Sequence, residues 1–306
     1  MNSPVIAEGF SVSRAAAVPP QQALVDVDGA RIAVKELGPR GAETIVFLHG
    51  GGPGCNAWTD WAAVGVRLSG EFRCVFIDMA QYGGSSREPI AGKFFSTQSR
   101  YVLQVLDALE ISSAHFVCQS LGSSVALRLA ADRPEAVRSL AMTGATPLTY
   151  GVISPAAIMR VARTSLGAYY GGEGPTRAKM RQLLAECEWF DSSRIPDELV
   201  ELRYQISVDP ADLRITSDLS TRGELEDLSD ALSAVQAPVL LAYGDSDPFA
   251  PPEIPLHLFT RLKNARLVIF KGASHHFPEE DPNAYLYTYR AWLDEVRQSP
   301  NKETAL

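Results

Sequence analysis

The 306-residue sequence predicts an α/β fold: a mostly parallel, doubly wound sheet with an inserted helical lid. Three observations point there. Short, almost wholly apolar runs recur along the chain, as strands buried on both faces require. Segments with apolar residues at helical spacing separate them. Between residues 147 and 236 the alternation stops and only helical patterns remain.

Taken in order, residues 1–22 show no sustained period, contain Pro19-Pro20, and read as an N-terminal arm. The core's first part spans 23–146. It opens with LVDVDGARIAVKEL, which alternates about Asp28-Gly29, a hairpin signal. TIVFL (44–48), RCVFID (73–78), AHFVC (114–118) and VRSLAMTG (137–144) read as buried strands. Residues 96–109 place Tyr101, Val102, Val105, Leu106 and Leu109 on one helical face, with Ser96 as the expected N-cap. Residues 121–131 form a small-residue helix. The lid, 147–236, carries AAIMRVARTSLGAYY and PTRAKMRQLLAECEWF, punctuated by Pro155, Pro175, Pro196 and Pro210. The core's second part, 237–298, adds strands PVLLAYGD and RLVIF and a helix over 283–296; 299–306 is a C-terminal tail. A lid between two strands lies over the sheet's carboxyl edge, where α/β proteins bind ligands.

Composition sets limits. Hydrophobic residues are 46% and charged residues 21%, an ordinary globular balance. Lys and Arg number 28 against 36 Asp and Glu, a net charge of −8, which excludes a general binder of nucleic acid or anionic membrane. Cys55, Cys74, Cys118 and Cys187 stand in no C-x-x-C or zinc spacing and read as reduced, buried residues. The N-terminus lacks a secretory pattern, and no apolar run approaches a membrane span, so the expectation is a cytoplasmic protein. No metal or cofactor motif is present.

Four motifs carry chemistry, each at the end of a predicted strand. VCQSLGSS (117–124) runs a strand through Ser120 into a helix, the setting of a nucleophile elbow; Gly122 meets the need for a small neighbour, while Cys118 stands where Gly is usual. LHGGGPG (48–54) lets backbone N–H groups face a cavity, as a developing oxyanion needs; no phosphate-loop spacing competes. YGDSDPFAPP (243–252) offers Asp245 and Asp247 as the acid that orients a histidine. KGASHHFPEEDP (271–282) offers His275 and His276, of which at most one points at the serine. A serine hydroxyl needs such a base, and the acid fixes the base's tautomer.

With Ser, Asp and His in that order, the chain resembles an α/β-hydrolase from about residue 23 to 297. The family's G-x-x-D-x-x-x-P pattern matches Gly244, Asp247 and Pro251, which implies Asp247 as the acid. Its small residue before the base and Pro seven after match Ser274, His275 and Pro282, which implies His275 as the base. HGGGPGCNAW resembles the H-G-x-G-P-G-x-x-x-W string of meta-cleavage product hydrolases, which cut a carbon–carbon bond in the ring-opened dienoates of aromatic degradation. IPDELVELRYQ resembles that family's lid segment, whose arginine binds the substrate carboxylate; here it is Arg203.

The resemblance implies an oxyanion hole from the N–H groups of Gly51 and Leu121. It implies substrate contacts from Gly50, Gly52, Trp58, Asp60, Gln119, Arg203 and His276. It implies an anionic small-molecule substrate, no cofactor, and a homo-oligomer, dimeric or larger. Arg203 has seven rivals in the lid: Arg160, Arg163, Arg177, Arg181, Arg194, Arg214 and Arg222. The substituent pocket falls to residues such as Ile158, Met159, Val161, Leu166, Tyr169 and Tyr170.

Three departures from the family pattern stand out. Asp60 replaces an Asn, His276 replaces a Trp, and DMAQYGGS has Ala80 and Gln81 where Pro and Gly are usual. Asp60 beside an anionic substrate has to be protonated or paired, with His276 as the candidate partner. The same scaffold serves an esterase or lactonase using Ser120, Asp247 and His275 without Arg203. It also serves a proline iminopeptidase holding an amine through Glu186, Glu188, Glu198 or Glu201, or a non-catalytic receptor. A serine at position 120 argues against epoxide hydrolases and haloalkane dehalogenases, whose nucleophile is Asp.

Overall fold

The computed structural model describes residues 19–145 and 166–298. Most of the N-terminal arm, the C-terminal tail and the first stretch of the lid, with Ile158, Met159, Arg160, Val161 and Arg163, lie outside the described residues. The strands are β1 (Gln22–Val27), β2 (Ala30–Leu37), β3 (Thr44–Leu48), β4 (Arg73–Asp78), β5 (Ala114–Gln119), β6 (Val137–Thr143), β7 (Val239–Gly244) and β8 (Ala265–Phe270). They form one sheet in the order β1-β2-β4-β3-β5-β6-β7-β8. β1 and β2 are antiparallel, β2 runs antiparallel to β4, and the remaining pairs are parallel. The first hairpin turns at Asp28-Gly29, where Gly29 has φ +81°, a value that favours glycine.

Every residue of TIVFL is buried. Val46 and Leu48 enter one core with Val75, Ile77 and Phe116; Ile45 and Phe47 enter the other with Cys74, Phe76 and Trp61. The period-2 alternation of a strand covered on both faces accounts for that split. Helices α1 (Ala57–Leu68), α2 (Phe94–Ala108) and α3 (Leu121–Asp132) follow β3, precede β5 and follow β5. The predicted helix over 96–109 thus begins earlier, at Phe94, and Ser96 is not its N-cap. Glu226, far along the chain, accepts the Phe95 N–H at 2.5 Å and the Ser96 N–H at 3.1 Å and also takes the Ser96 hydroxyl. A tertiary carboxylate caps this end, so the local cap residue was not needed.

Between β6 and β7 the described chain is helical: α4 (Leu166–Tyr170), α5 (Arg177–Leu183) running into a π turn (Leu184–Glu188), α6 (Asp197–Ser207) and α7 (Pro210–Ser217). These elements hold a small core of their own, with Tyr169, Met180, Leu184, Cys187, Trp189 and Leu199. After β7 come α8 (Glu253–Arg261), α9 (Phe277–Glu280) and α10 (Pro282–Gln298). All four cysteines are buried and unbridged. Among the described residues no helix is long and apolar enough to cross a membrane.

Strand order places the site. The chain leaves β3 towards β4 on one side, while β5 leads to β6 on the other. A crevice opens at the carboxyl ends of strands where the order diverges in this way. The glycine loop after β3 and Ser120 after β5 flank it.

Candidate active site

Ser120 sits between β5 and α3 with φ 48° and ψ −111°, a conformation that costs a non-glycine residue on the order of 1–3 kcal/mol. Its N–H donates to Thr143 O at 2.7 Å, while its own carbonyl accepts from Ser123 and Ser124. The turn is thus held by β6 and by the helix it opens. Gly122 is required: a Cβ there would lie 2.7 Å from both His49 O and Leu48 Cβ. The Gly122 N–H donates to His49 O at 3.0 Å, so α3 packs directly on the end of β3. Cys118, in the position where Gly is usual, is fully buried on β5.

His275 and Asp247 meet at 2.7 Å, Nδ1 to Oδ2. The other Asp247 oxygen accepts from the Phe249 and Ala250 N–H groups at 2.8 and 2.9 Å, so the carboxylate is fixed at both ends. Asp245 points elsewhere, to Lys271 at 2.6 Å and the Gly272 N–H. The Lys271 bond holds the Asp245 carboxyl below its usual value. Gln119, beside Ser120, donates to the His275 carbonyl at 2.7 Å. Gly144 leaves room for the ring; a Cβ there would lie 2.5 Å from His275 Cε1. Gln119 and Gly144 thereby bring the end of β5 against His275.

The glycine loop is anchored by groups beneath it. His49 is buried and bridges Gly50 O at 2.6 Å and the Met79 N–H at 2.9 Å, which assigns the proton to Nδ1. Burial holds its pKa below the usual imidazole value, so it is a neutral latch. Asp60 accepts the Gly50 N–H at 2.7 Å and the Thr59 hydroxyl at 3.0 Å. Gly50 therefore has its N–H committed inside the protein. Gly51 packs on Leu121, where a Cβ would lie 3.1 Å from Leu121 Cδ2. Leu121 opens α3, so its N–H is among those a helix leaves without an intrahelical partner. Trp58 is buried edge-on against Phe76.

Arg203, the implied carboxylate anchor, is fully buried behind this loop. It forms a fork with Glu188, both bonds at 3.0 Å, and its Nε donates to Pro53 O at 2.8 Å. Gly54 has no room for a side chain over the Arg203 backbone, 2.1 Å from its carbonyl oxygen. His276 is buried between Glu279, at 3.2 Å from Nδ1, and Glu188, at 3.5 Å from Nε2. Burial opposes its charged form, but Glu188, Cys55, Glu279 and Asp60 outweigh that and hold its pKa well above the usual value. Burial likewise opposes the Glu188 carboxylate, yet Arg203 and His276 bring it below its usual value. Burial pushes the Cys55 thiol up to about 11.

Cys55, Asp60 and His276 bring ligand atoms within 4.8 Å of one another. Two of these groups have partners inside the protein: Asp60 accepts the Gly50 N–H, and His276 stands between Glu188 and Glu279. Of the lid carboxylates, Glu188 alone joins it; Glu186 and Glu198 are exposed, and Glu201 pairs with Arg177 at the surface.

A cleft, partly open to solvent, lies along the same loop and is lined by it from Gly51 to Cys55. Its walls include Gly51, Gly52, Tyr82, Tyr170, Ile215 and Arg222; Ser120 and His275 are not among them. Gly51 connects cleft and serine, since it also packs on Leu121, and its Cβ position is 3.3 Å from the Tyr82 hydroxyl. The buried partners of Arg203 and His276 were not legible as such. Glu188 ends a π turn inside an apolar run, a form that often marks functional positions.

Fold and site define a hydrolase class, in which a strained residue at a strand-to-helix turn follows Gln119, whose side chain bonds the histidine of a histidine–carboxylate pair. Residues 43–282 match the family described as alpha/beta hydrolase fold, and the chain belongs to that family. It is 31% identical over 237 residues to 2-hydroxymuconate semialdehyde hydrolase of Pseudomonas sp. (strain CF600), covering 76% of this chain and 80% of that protein. It is 28% identical to 2-hydroxy-6-oxo-6-phenylhexa-2,4-dienoate hydrolase of Burkholderia cepacia, covering 79% and 85%. A solved meta-cleavage product hydrolase of Pseudomonas fluorescens IP01 shares the fold, with a TM-score of 0.75 at 24% identity over 88% of this chain and 96% of that one. The chain therefore resembles the meta-cleavage product hydrolases within the family.

Proposed function

We propose that the protein hydrolyses a carbon–carbon bond in a 2-hydroxy-6-oxo-hexa-2,4-dienoate, with Ser120 as nucleophile, His275 as base and Asp247 as the acid that orients it. The observation that carries the reading is the 2.7 Å His275–Asp247 bond, joined to the Ser120 strand by Gln119. The relatives' names supply the substrate class. The dienol first ketonises. Ser120 then adds to the distal ketone, its proton passing to His275 Nε2, while the Gly51 and Leu121 N–H groups hold the oxyanion. The tetrahedral centre collapses, its carbon–carbon bond breaks, and the electron pair enters the departing dienolate, which takes the proton from His275 Nε2 and leaves as the dienol. Water, deprotonated by His275, releases the acid from Ser120.

A second reading, an esterase or lactonase, is favoured by one observation: Arg203 is committed to Glu188 and so does not call for an anion. Coloured ring-fission products separate the two. Bleaching supports the carbon–carbon hydrolase, and Ser120→Ala should reduce it by at least about 10³-fold. No bleaching with any product, alongside fast turnover of nitrophenyl esters, selects the esterase. Near-wild-type rates in Ser120→Ala overturn the nucleophile assignment.

A further inference from the structure

The cleft beside Gly51 has its own unassigned cation. Arg222 lines it, and its Nε is buried without a hydrogen-bond partner. Among the described residues Arg222 forms no salt bridge, whereas the cleft's carboxylate, Asp212, is held by Arg87 through bonds at 2.8 and 2.5 Å. Arg87 is the first partner of Asp212, and Arg222 acts on the same carboxylate from further off and on the Tyr82 hydroxyl. Its guanidinium lies 5.8 Å from the centre of the Tyr82 ring. Burial raises the Tyr82 phenol pKa, and Arg222 pulls the other way.

Gln81 sets this arrangement. It has φ 72°, a backbone that favours glycine, at the position where the resembled family carries Gly. Its Nε2 donates to Thr221 O at 2.7 Å and Glu88 O at 3.0 Å, which ties the segment bearing Arg222 to the loop after β4. Two carbonyl acceptors fix the amide's orientation, so Oε1 is the atom left buried and without a partner. Gln81, with an open acceptor, and Arg222, with an open N–H, line the same cleft and offer a ligand both kinds of hydrogen bond.

We propose that Arg222, positioned by Gln81, is the carboxylate-binding residue of this cleft, and that the cleft takes the head group of a planar unsaturated 2-hydroxy acid. The carboxylate accepts from Arg222, and the 2-hydroxyl donates to Gln81 Oε1. Tyr82, Tyr170 and Ile215 give the carbon chain apolar walls on the way to Gly51. Which acid is turned over rests on the reaction proposed above; the anion subsite does not.

The experiment is calorimetric titration with sorbate (hexa-2,4-dienoate) and its neutral amide, sorbamide. Both carry the diene, and neither has the distal ketone that the proposed reaction attacks. Wild type should bind sorbate the more tightly. Arg222→Gln should weaken sorbate about tenfold to a hundredfold, the loss of one charge-assisted contact, and leave sorbamide within about twofold. Arg222→Lys keeps the charge without the fork; it should weaken sorbate about three- to tenfold and carries the test if Arg222→Gln fails to fold. Equal binding of sorbate and sorbamide by wild type, or sorbate binding unchanged in both variants, overturns the subsite. If wild type bleaches ring-fission products and sorbate is indifferent to Arg222, the subsite falls and the proposed reaction stands. If nothing is bleached and sorbate still depends on Arg222, the subsite stands and the proposed reaction falls.

Discussion

Arg203→Met separates a residue that binds substrate from one that holds the site together. Arg203 is fully buried and donates to Glu188 twice and to Pro53 O once. Its loss would leave Glu188, itself 3% exposed, with His276 at 3.5 Å as its remaining counter-charge. Breaking a buried pair from one side costs about 3–5 kcal/mol. Unfolding entropy near 2.1 cal/mol/K per residue gives a chain of 306 residues about 0.64 kcal/mol/K, so the melting point should fall by roughly 5–8 °C. Arg203→Met combined with Glu188→Leu removes both charges and replaces them with apolar volume. It should regain at least about 2 kcal/mol over the sum of the single losses. Thermal melts and urea unfolding followed by tryptophan fluorescence read both quantities. Because Arg203 Nε fixes the glycine loop, the single variant should also lose activity on neutral esters and acids alike. A melting point within about 2 °C of wild type, with KM raised for anionic substrates only, would refute this reasoning and return Arg203 to the pocket as the anion's anchor.

Gly122→Ala places a methyl 2.7 Å from strand backbone that has no freedom to move; it should lower the melting point by roughly 2–5 °C and slow turnover, and an unchanged protein would sink the close-packing argument. His276 has a folded pKa above its unfolded value near 6.5. Its charge therefore adds stability that is complete below about pH 6.5 and disappears as pH rises through the folded pKa. The melting-point gap between wild type and His276→Asn should be widest near pH 6 and shrink on the alkaline side; a gap constant with pH would mean that His276 has the same pKa folded and unfolded, and the reasoning would fall.

Legibility in the sequence followed the range of the interactions. TIVFL and RCVFID are strands because their own apolar runs demand burial on both faces, and they appear where expected. Ser120, Asp247 and His275 each sit at a strand end, so the short-range pattern locates all three, and Asp247 rather than Asp245 reaches His275. The Ser96 cap failed because Glu226, 130 residues away, supplies the acceptor. The same limit applied to Arg203: its helix position was readable, but Glu188 on a separate turn decides whether its charge is free. Gln81 stood out as a departure from a glycine pattern, yet its partner Thr221 lies 140 residues on.

Two of the sequence departures belong to one physical change. Asp60 and His276 replace an amide and an indole in the resembled pattern and lie within 4.8 Å of each other, with Cys55 in the same buried cluster. An acid alone at position 60 would face desolvation without compensation. A histidine alone at 276 would be buried and neutral, because burial is the largest influence on its pKa. Each makes the other tolerable, and Glu188, Glu279 and Arg203 complete the balance. The consequence is that positive charge behind the glycine loop answers carboxylates of the protein itself. A charge already neutralised in this way holds little net attraction for an incoming anion, even a few ångströms off. The third departure, Gln81, ties the segment bearing Arg222 to the loop after β4, and both residues line the cleft, which under the proposed function is where an acidic substrate finds its cation.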